Sequence, residues 1–326
     1  MRSLSGIKPT GTLHIGNYFG AAKQFEELQK KGYDCFYFVA DYHTLNTCPD
    51  PNELTENSWN IVLDYLAFGL DPEKSTMFLQ SQVPEVVELA FILGNVTPMG
   101  LMQRAHSYKE KTDKGELINV GLFYYPLLMA ADILLYDSDV VPVGQDQKQH
   151  VEIARDIAVK FNMQYNTEVF KIPEPLIRED VAVVPGTDGR KMSKSYGNTI
   201  EMFASDKELK KQVMGIVTDS TPLEEPKDPD KCNVFALYKL FATPQEQALM
   251  KEKYRAGGYG YGTAKKELLE KLMQFFKPMR EKREELDKNR YYVERVLREG
   301  AQRARSAAVE KIKKVKKVTG LVGNIY

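Results

Sequence analysis

Two short strings in this chain carry residue types suited to phosphate chemistry. The first is TGTLHIGN, Thr10 to Asn17. A strand ends, the chain turns at Gly11, and a helical pattern begins. The first N–H groups and the positive dipole end of such a helix face the loop and form a ready anion site. Gly16 lets a nucleotide lie against the backbone, and His14 and Asn17 can donate hydrogen bonds to phosphate or ribose. The second string is GRKMSKS, Gly189 to Ser195. Lys191 and Lys194, set among glycine and serine, make a basic loop able to close over a triphosphate and follow its charge to the leaving group. Taken singly, each string also has a plain structural reading. The first is then an ordinary turn, and the second a surface loop with solvated lysines.

The elements that must hold these strings alternate in the first half of the chain. Arg2–Ile7 predicts a strand, and a helical pattern runs from about His14 to Lys31 with Phe19, Ala22, Phe25 and Leu28 on one face. Tyr33–Ala40 is β-like, Pro51–Phe68 helical, Thr76–Gln80 a short strand, Val140–Val143 another, and Gln145–Asn162 a helix. Strands alternating with helices predict a parallel, Rossmann-like sheet. Pro173–Asn198 shifts to Pro, Gly, Asp and Lys and reads as a loop and boundary. Beyond it the pattern is helical over Asp206–Ile216, Cys232–Phe241, Pro244–Tyr254, Ala264–Glu284 and Asp287–Thr319, with AGGYGYG (Ala256–Gly262) as a connector.

Bulk composition excludes little. The 326 residues balance 45 Lys and Arg against 45 Asp and Glu, so net charge selects no partner. Locally, Tyr291–Gly320 holds nine Lys or Arg and three Glu, a net +6 that either meets nucleic acid or forms a solvated helix face. The three cysteines, Cys35, Cys48 and Cys232, match no metal motif or disulfide framework. Cys35, within CFYFVA, is expected to be a buried thiol. An odd count fits a reducing cytoplasm. No secretory signal segment is read at the N-terminus, and no apolar stretch is long enough to span a membrane.

HIGN after the first strand and KMSKS about 175 residues later at the end of the α/β region resemble the class I aminoacyl-tRNA synthetases. SGIKPTGTLHIGNYFGA and YPLLMAADILLYDSDVVPVGQDQKQHVEIARDIAVKFN (Tyr125–Asn162) are similar to the tryptophanyl branch, over essentially the whole chain. The resemblance implies a Rossmann-like catalytic domain over 1–195 and an all-helical anticodon-binding domain over 196–326, its last helix returning to the catalytic domain. It implies ATP with Mg²⁺, tryptophan and tRNA(Trp) as ligands, and a homodimer. The apolar stretch between Glu85 and Met102 is then the candidate interface, with ordinary core packing as the alternative. By the same resemblance, Lys8, Thr10, His14, Gly16, Asn17, Gly144, Asp146, Lys191, Met192, Ser193 and Lys194 belong to the ATP site. Lys111 joins Lys191 and Lys194 in catalysis, although KEKTDK also reads as an exposed helix end that takes Lys109 and Lys111 with it. Asp146 either contacts the ribose or orients Gln147. Leu4, His43, Tyr125, Met129, Asp132, Val141, Val143 and Gln147 would line the amino-acid pocket. Many relatives place an aromatic residue at the position of Leu4, which keeps apolar packing but loses stacking. Some relatives begin a four-cysteine iron–sulfur site at the position of Cys232. AGGYGYG replaces the later cysteines here, so no cluster is expected.

One piece of this can be argued from the residues alone. Tyr125, Met129 and Asp132 share a helix face that is otherwise apolar, with Leu122, Leu128 and Leu135. A carboxylate there is costly without a partner. An indole offers one N–H donor and no acceptor, so Asp132 is the acceptor it needs. A capping or ion-paired aspartate is the alternative. His43, with Asp41 in VADYHTL, falls at a strand end where ligands enter such sheets, or is a structural histidine. A tyrosyl enzyme, a non-catalytic RNA-binding paralogue and a nucleotidylyltransferase share parts of this pattern. Asn17 and Met129 stand where tyrosyl relatives usually carry other residues. Intact HIGN and KMSKS disfavour the paralogue, and the long helical C-terminal region disfavours the transferase.

Overall fold

The computed structural model describes residues 1–47, 50–105, 108, 112, 119–177 and 184–321. Along the chain, β1 (Arg2–Ile7) leads into α1 (Ile15–Asn17), a π-helical turn over Tyr18–Ala22, and α2 (Lys23–Lys30). Next come β2 (Asp34–Val39), α3 (Asp41–Thr44), α4 (Pro51–Ala67), β3 (Ser75–Leu79) and a 3-10 turn over Gln80–Gln82. α5 (Glu85–Gly94), α6 (Met99–Gln103), α7 (Val120–Leu135), β4 (Val140–Pro142), a 3-10 turn over Gln145–Gln147, α8 (Lys148–Gln164) and β5 (Glu174–Leu176) follow. The described chain ends with α9 (Asp206–Met214), α10 (Asn233–Tyr238), α11 (Pro244–Ala256), α12 (Tyr261–Lys288) and α13 (Arg290–Thr319).

The chain forms two compact units. One contains Met1–Gly11, Gln24–Arg178 and Leu286–Tyr326, the other Thr12–Lys23 and Glu179–Glu285. These units are cut differently from the 1–195 and 196–326 domains expected from the sequence. Thr12–Lys23 and the KMSKS segment fall in the helical unit; the last helix, read as returning to the catalytic domain, falls in the sheet unit.

The sheet unit is built on five parallel strands in the order β3-β2-β1-β4-β5. β2 is buried from Cys35 onward, as a strand covered on both faces must be. Cys35 is fully buried, with Tyr37 Oη 3.2 Å from its Sγ. The strand order reverses at β1, so the carboxyl ends of β1 and β4 mark the switch point where such sheets take ligands. α7 packs between α5 and α8. β5 lies inside the stretch read as a loop. It is three residues long with a proline at its centre, and this gave the sequence no strand pattern.

α13 covers the free edge of β3. A Cβ at Gly300 would fall 1.8 Å from the Met77 carbonyl oxygen, so only glycine allows this approach. Arg303 Nη2 donates to the Pro72 carbonyl at 2.8 Å, Arg305 pairs with Glu85 at 2.8 Å, and Lys316 pairs with Glu88 at 2.5 Å. Buried Lys311 meets Asp137 and donates to the Val169 carbonyl at 2.7 Å, beside a cavity of about 500 Å³ lined by Asn162, Phe170 and Lys314. Four of the nine basic residues counted in this helix region therefore face the protein itself.

Among its described residues the second unit is helical apart from two isolated antiparallel bridges. Ser205 with Glu208 and Thr243 with Glu246 form reciprocal caps at α9 and α11. Tyr18, Phe19, Phe241, Phe275 and Phe276 form an aromatic cluster with centroid distances of 4.9–6.0 Å. The helix read from His14 to Lys31 runs without a gap from Ile15 to Lys30 but widens to a π turn over Tyr18–Ala22, and its apolar face is divided. Phe19 joins this cluster, while Phe25 stacks on Tyr37 at 4.5 Å in the sheet unit. Cys232 is buried with its Sγ 3.3 Å from Tyr254 Oη. Cys48 lies outside the described residues.

Candidate active site

In the sheet unit, the carboxyl ends of the strands collect the polar side chains. His43 sits on α3 just after β2, and Gln80 opens the turn just after β3. Both reach Asp132 on α7: His43 Nε2 lies 2.9 Å from Oδ2, and Gln80 Nε2 donates to Oδ1 at 2.8 Å and Oδ2 at 2.9 Å. Asp132 is 3% exposed, His43 5% and Gln80 1%. Burial holds the Asp132 carboxyl above the usual range, against a smaller downward pull from the His43 and Gln80 bonds. The two donors are stapled to each other. Asp41 accepts from the Ser81 N–H at 3.0 Å and from the Ser81 hydroxyl, joining α3 to the turn after β3. Leu79 N–H donates to Gln82 Oε1 at 2.9 Å and fixes that turn.

The other face of this cluster is Tyr125, seven residues before Asp132 on α7. Its hydroxyl is 2.7 Å from Nε2 of buried His150 on α8, its ring meets His43 edge-on at 6.2 Å, and Lys8 Nζ lies 5.6 Å from its centroid. Met129 is half-buried on the same helix. Val141 is buried, Val143 half-buried, and Leu4 1% exposed in the core. Gly144 and Gln147 are exposed at and beside the 3-10 turn after β4, and Asp146 lies on that turn. Thr10 is exposed after β1, its N–H bonded to the Lys8 carbonyl at 2.9 Å. Lys109 and Lys111 lie outside the described residues. Gln80 and His150 were not singled out from the sequence. QSQ after a short strand and the final histidine of GQDQKQH carry no local signal for burial.

In the helical unit the two strings meet. Ile15 N–H donates to the Ile200 carbonyl at 3.0 Å and Met202 N–H to the Leu13 carbonyl at 3.3 Å, so HIGN is stitched to the segment after KMSKS. A Cβ at Gly16 would lie 3.4 Å from Met192 Cβ and 2.9 Å from His14 Nδ1. His14 and Asn17 cap each other: Asn17 N–H donates to His14 Nδ1 at 3.3 Å, and His14 N–H donates to Asn17 Oδ1 at 3.1 Å. The N–H groups of Ile15, Asn17 and Tyr18 are thus already used. The helix-start amides expected to receive an anion are largely spent, and the donors pass to side chains. Because Nδ1 accepts, a neutral His14 carries its proton on Nε2. Burial and the positive charge of Lys194 lower its pKa to about 4, so Nε2–H is a fixed donor near neutrality.

KMSKS itself wraps around Asn198. This side chain is 2% exposed, accepts from Ser193 N–H at 2.8 Å, and donates to Asp188 Oδ1 at 2.7 Å and the Lys191 carbonyl at 3.1 Å. Its amide holds the Asp188 carboxyl below the usual range. Met192 is buried, while Lys191 and Lys194 are exposed, Lys194 at the start of a 3-10 turn closed by Gly197 at φ 63°. The loop therefore has a fixed core and an outward cationic face. Among the described residues no group of three or more His, Cys, Asp or Glu side chains could hold a metal ion, and no helix is long and apolar enough to cross a membrane.

The sheet unit thus holds a buried, hydrogen-bonded carboxylate at its strand ends, and the helical unit holds two joined motifs with outward lysines. Residues 1–277 match the family described as tRNA synthetases class I (W and Y). The chain belongs to this family. It is 63% identical over 325 residues to the tryptophan–tRNA ligase of Fusobacterium nucleatum, covering 100% of this chain and 99% of that one. It is also similar to the solved tryptophanyl-tRNA synthetase of Campylobacter jejuni complexed with ADP and tryptophan, at 51% identity and TM-score 0.93, covering 98% and 100% of the two chains. The Mycoplasma pneumoniae tryptophanyl-tRNA synthetase superposes with TM-score 0.83 at 30% identity, covering 98% of each chain.

Proposed function

We propose that this chain is a tryptophan–tRNA ligase. A tryptophan carboxylate oxygen attacks the α-phosphorus of ATP, the bond to the β-phosphate bridging oxygen breaks, and tryptophanyl-adenylate and pyrophosphate result. The tryptophanyl group then passes to tRNA(Trp), releasing AMP. The observation that carries this reading is the buried Asp132 carboxylate, set in a family that handles tryptophan and tyrosine. The amino acid brings its own nucleophile, so the protein supplies position and charge. Asp132 accepts the indole N–H, Met129 and the valines pack on the ring, and Tyr125 and Gln147 face the polar end. His14 Nε2–H and the lysines at 191, 194 and 111 meet the phosphates.

Magnesium, the ion implied with ATP, finds no ready-made carboxylate cage among the described residues. The nucleotide's phosphates and water would hold it, as is usual for this ion. A homodimer is supported by Val87, Phe91 and Met99, which lie exposed on α5 and α6 at 45, 71 and 63%. Their replacement by serine together should yield a monomer in sedimentation. A cytoplasmic location is the reading that fits the odd cysteine count.

ATP–pyrophosphate exchange with each of the twenty amino acids, without tRNA, tests the reading. Exchange with tryptophan alone supports it. Exchange with tyrosine would keep the family and overturn the role of Asp132, and no exchange with any amino acid would point to an RNA-binding paralogue.

A further inference from the structure

The Asp132 cluster contains more acceptors than donors. Gln80 Nε2 bridges both carboxylate oxygens and His43 Nε2 meets one of them. A carboxylate only accepts, so the amide's NH₂ end must face it and Gln80 Oε1 points elsewhere. That Oε1 is buried with no partner, and so is His43 Nδ1. With His43 neutral and its Nε2–H given to Asp132, both are acceptors. A ligand group that donates and does not accept fits such a site; a group that brings a lone pair of its own fits it poorly.

We propose that Gln80 is a specificity-determining positioning residue: by bridging both oxygens of Asp132 it fixes the carboxylate in the orientation that accepts a single ring N–H. Its placement is not incidental. Gln80 is the first residue after β3, 1% exposed, on a turn held by Gln82 and tied through Ser81 to Asp41, two residues from His43. The same strand is seated against α13 at Met77 and Gly300. This inference rests on the reading that Asp132 receives the indole.

The test compares tryptophan with the analogue whose ring N–H is replaced by sulfur, using exchange kinetics on the full-length chain. Gln80→Met keeps volume and loses the bridge; Gln80→Asn keeps the amide and falls short by one methylene. In both, tryptophan KM should rise roughly 10- to 100-fold, the range for a lost bond to a charged group, with kcat and ATP KM within about 3-fold. Because the analogue makes no N–H bond, its KM should rise less, and the preference for tryptophan should shrink by about tenfold or more. A purely structural Gln80 would raise both KM values alike and leave the preference unchanged, and that result in either variant overturns the proposal. The Asp132→Ala variant separates the two claims. If it abolishes the preference while Gln80→Met does not, Gln80 alone is wrong; if it leaves the preference intact, the indole reading itself fails.

Discussion

Asp132 carries its charge 3% exposed, bonded by two buried donors on separate strand ends, whereas Lys191 and Lys194 carry theirs on the outer face of a loop whose core is Asn198. The first arrangement suits a ligand that must be told apart from its neighbours by one N–H. Desolvation makes each unmatched polar group expensive, so the buried cluster discriminates. The second suits a ligand whose charge moves during the reaction. Exposed lysines on a pinned backbone can follow the phosphates at little cost in solvation. One region buys selectivity through burial, the other keeps adaptability through exposure.

The sharpest way to break this contrast is Lys194→Ala. We expect kcat for adenylate formation to fall roughly 10²- to 10³-fold, the range for a lost transition-state charge contact, with KM for tryptophan little changed. A tryptophan KM that moved as much as kcat would erase the division of labour. Asp132→Ala should do the opposite. Tryptophan KM should rise about 100-fold and ATP KM stay nearly constant in the same exchange assay.

His14 offers a pH test confined to the loop region. Its pKa is about 4 folded against 6.5 unfolded, so the unfolded chain binds the proton more readily. Its stability contribution is intact above pH 6.5 and is lost as pH falls toward 4. Between pH 7 and 5 the loss is about 2 kcal/mol, and a His14→Asn chain should lack that part of the slope in urea midpoints measured across the range. The smallest effect is expected from Asn198→Ala, about 1–2 kcal/mol of stability and about tenfold in kcat, with tryptophan KM unaltered. Unchanged kcat there would mean that the loop needs no pin.

Much of this was legible beforehand, for identifiable reasons. β1 was read to the residue because a short segment carrying Leu4 and Ile7 is cut off by Pro9 and Gly11. Asp132 stood out because a carboxylate on an apolar helix face demands a partner. The partners did not stand out. Gln80, His150 and Asn198 are ordinary polar residues by sequence, and only the tertiary fold buries them. The π turn at Tyr18–Ala22 was hidden because its residues continue a helical apolar spacing. The pairing of the segment after KMSKS with Leu13 runs through backbone bonds, which no side-chain pattern encodes.

The seating of Gly300 on Met77 has a consequence for synthesis. Every described strand of the sheet has been translated by Leu176, yet the helix seated on the edge of β3, α13, follows more than a hundred positions later. A nascent chain therefore carries an open, hydrogen-bonding strand edge through the translation of the whole helical unit. That interval is when the ribosome-bound protein is most exposed to mispairing with its neighbours.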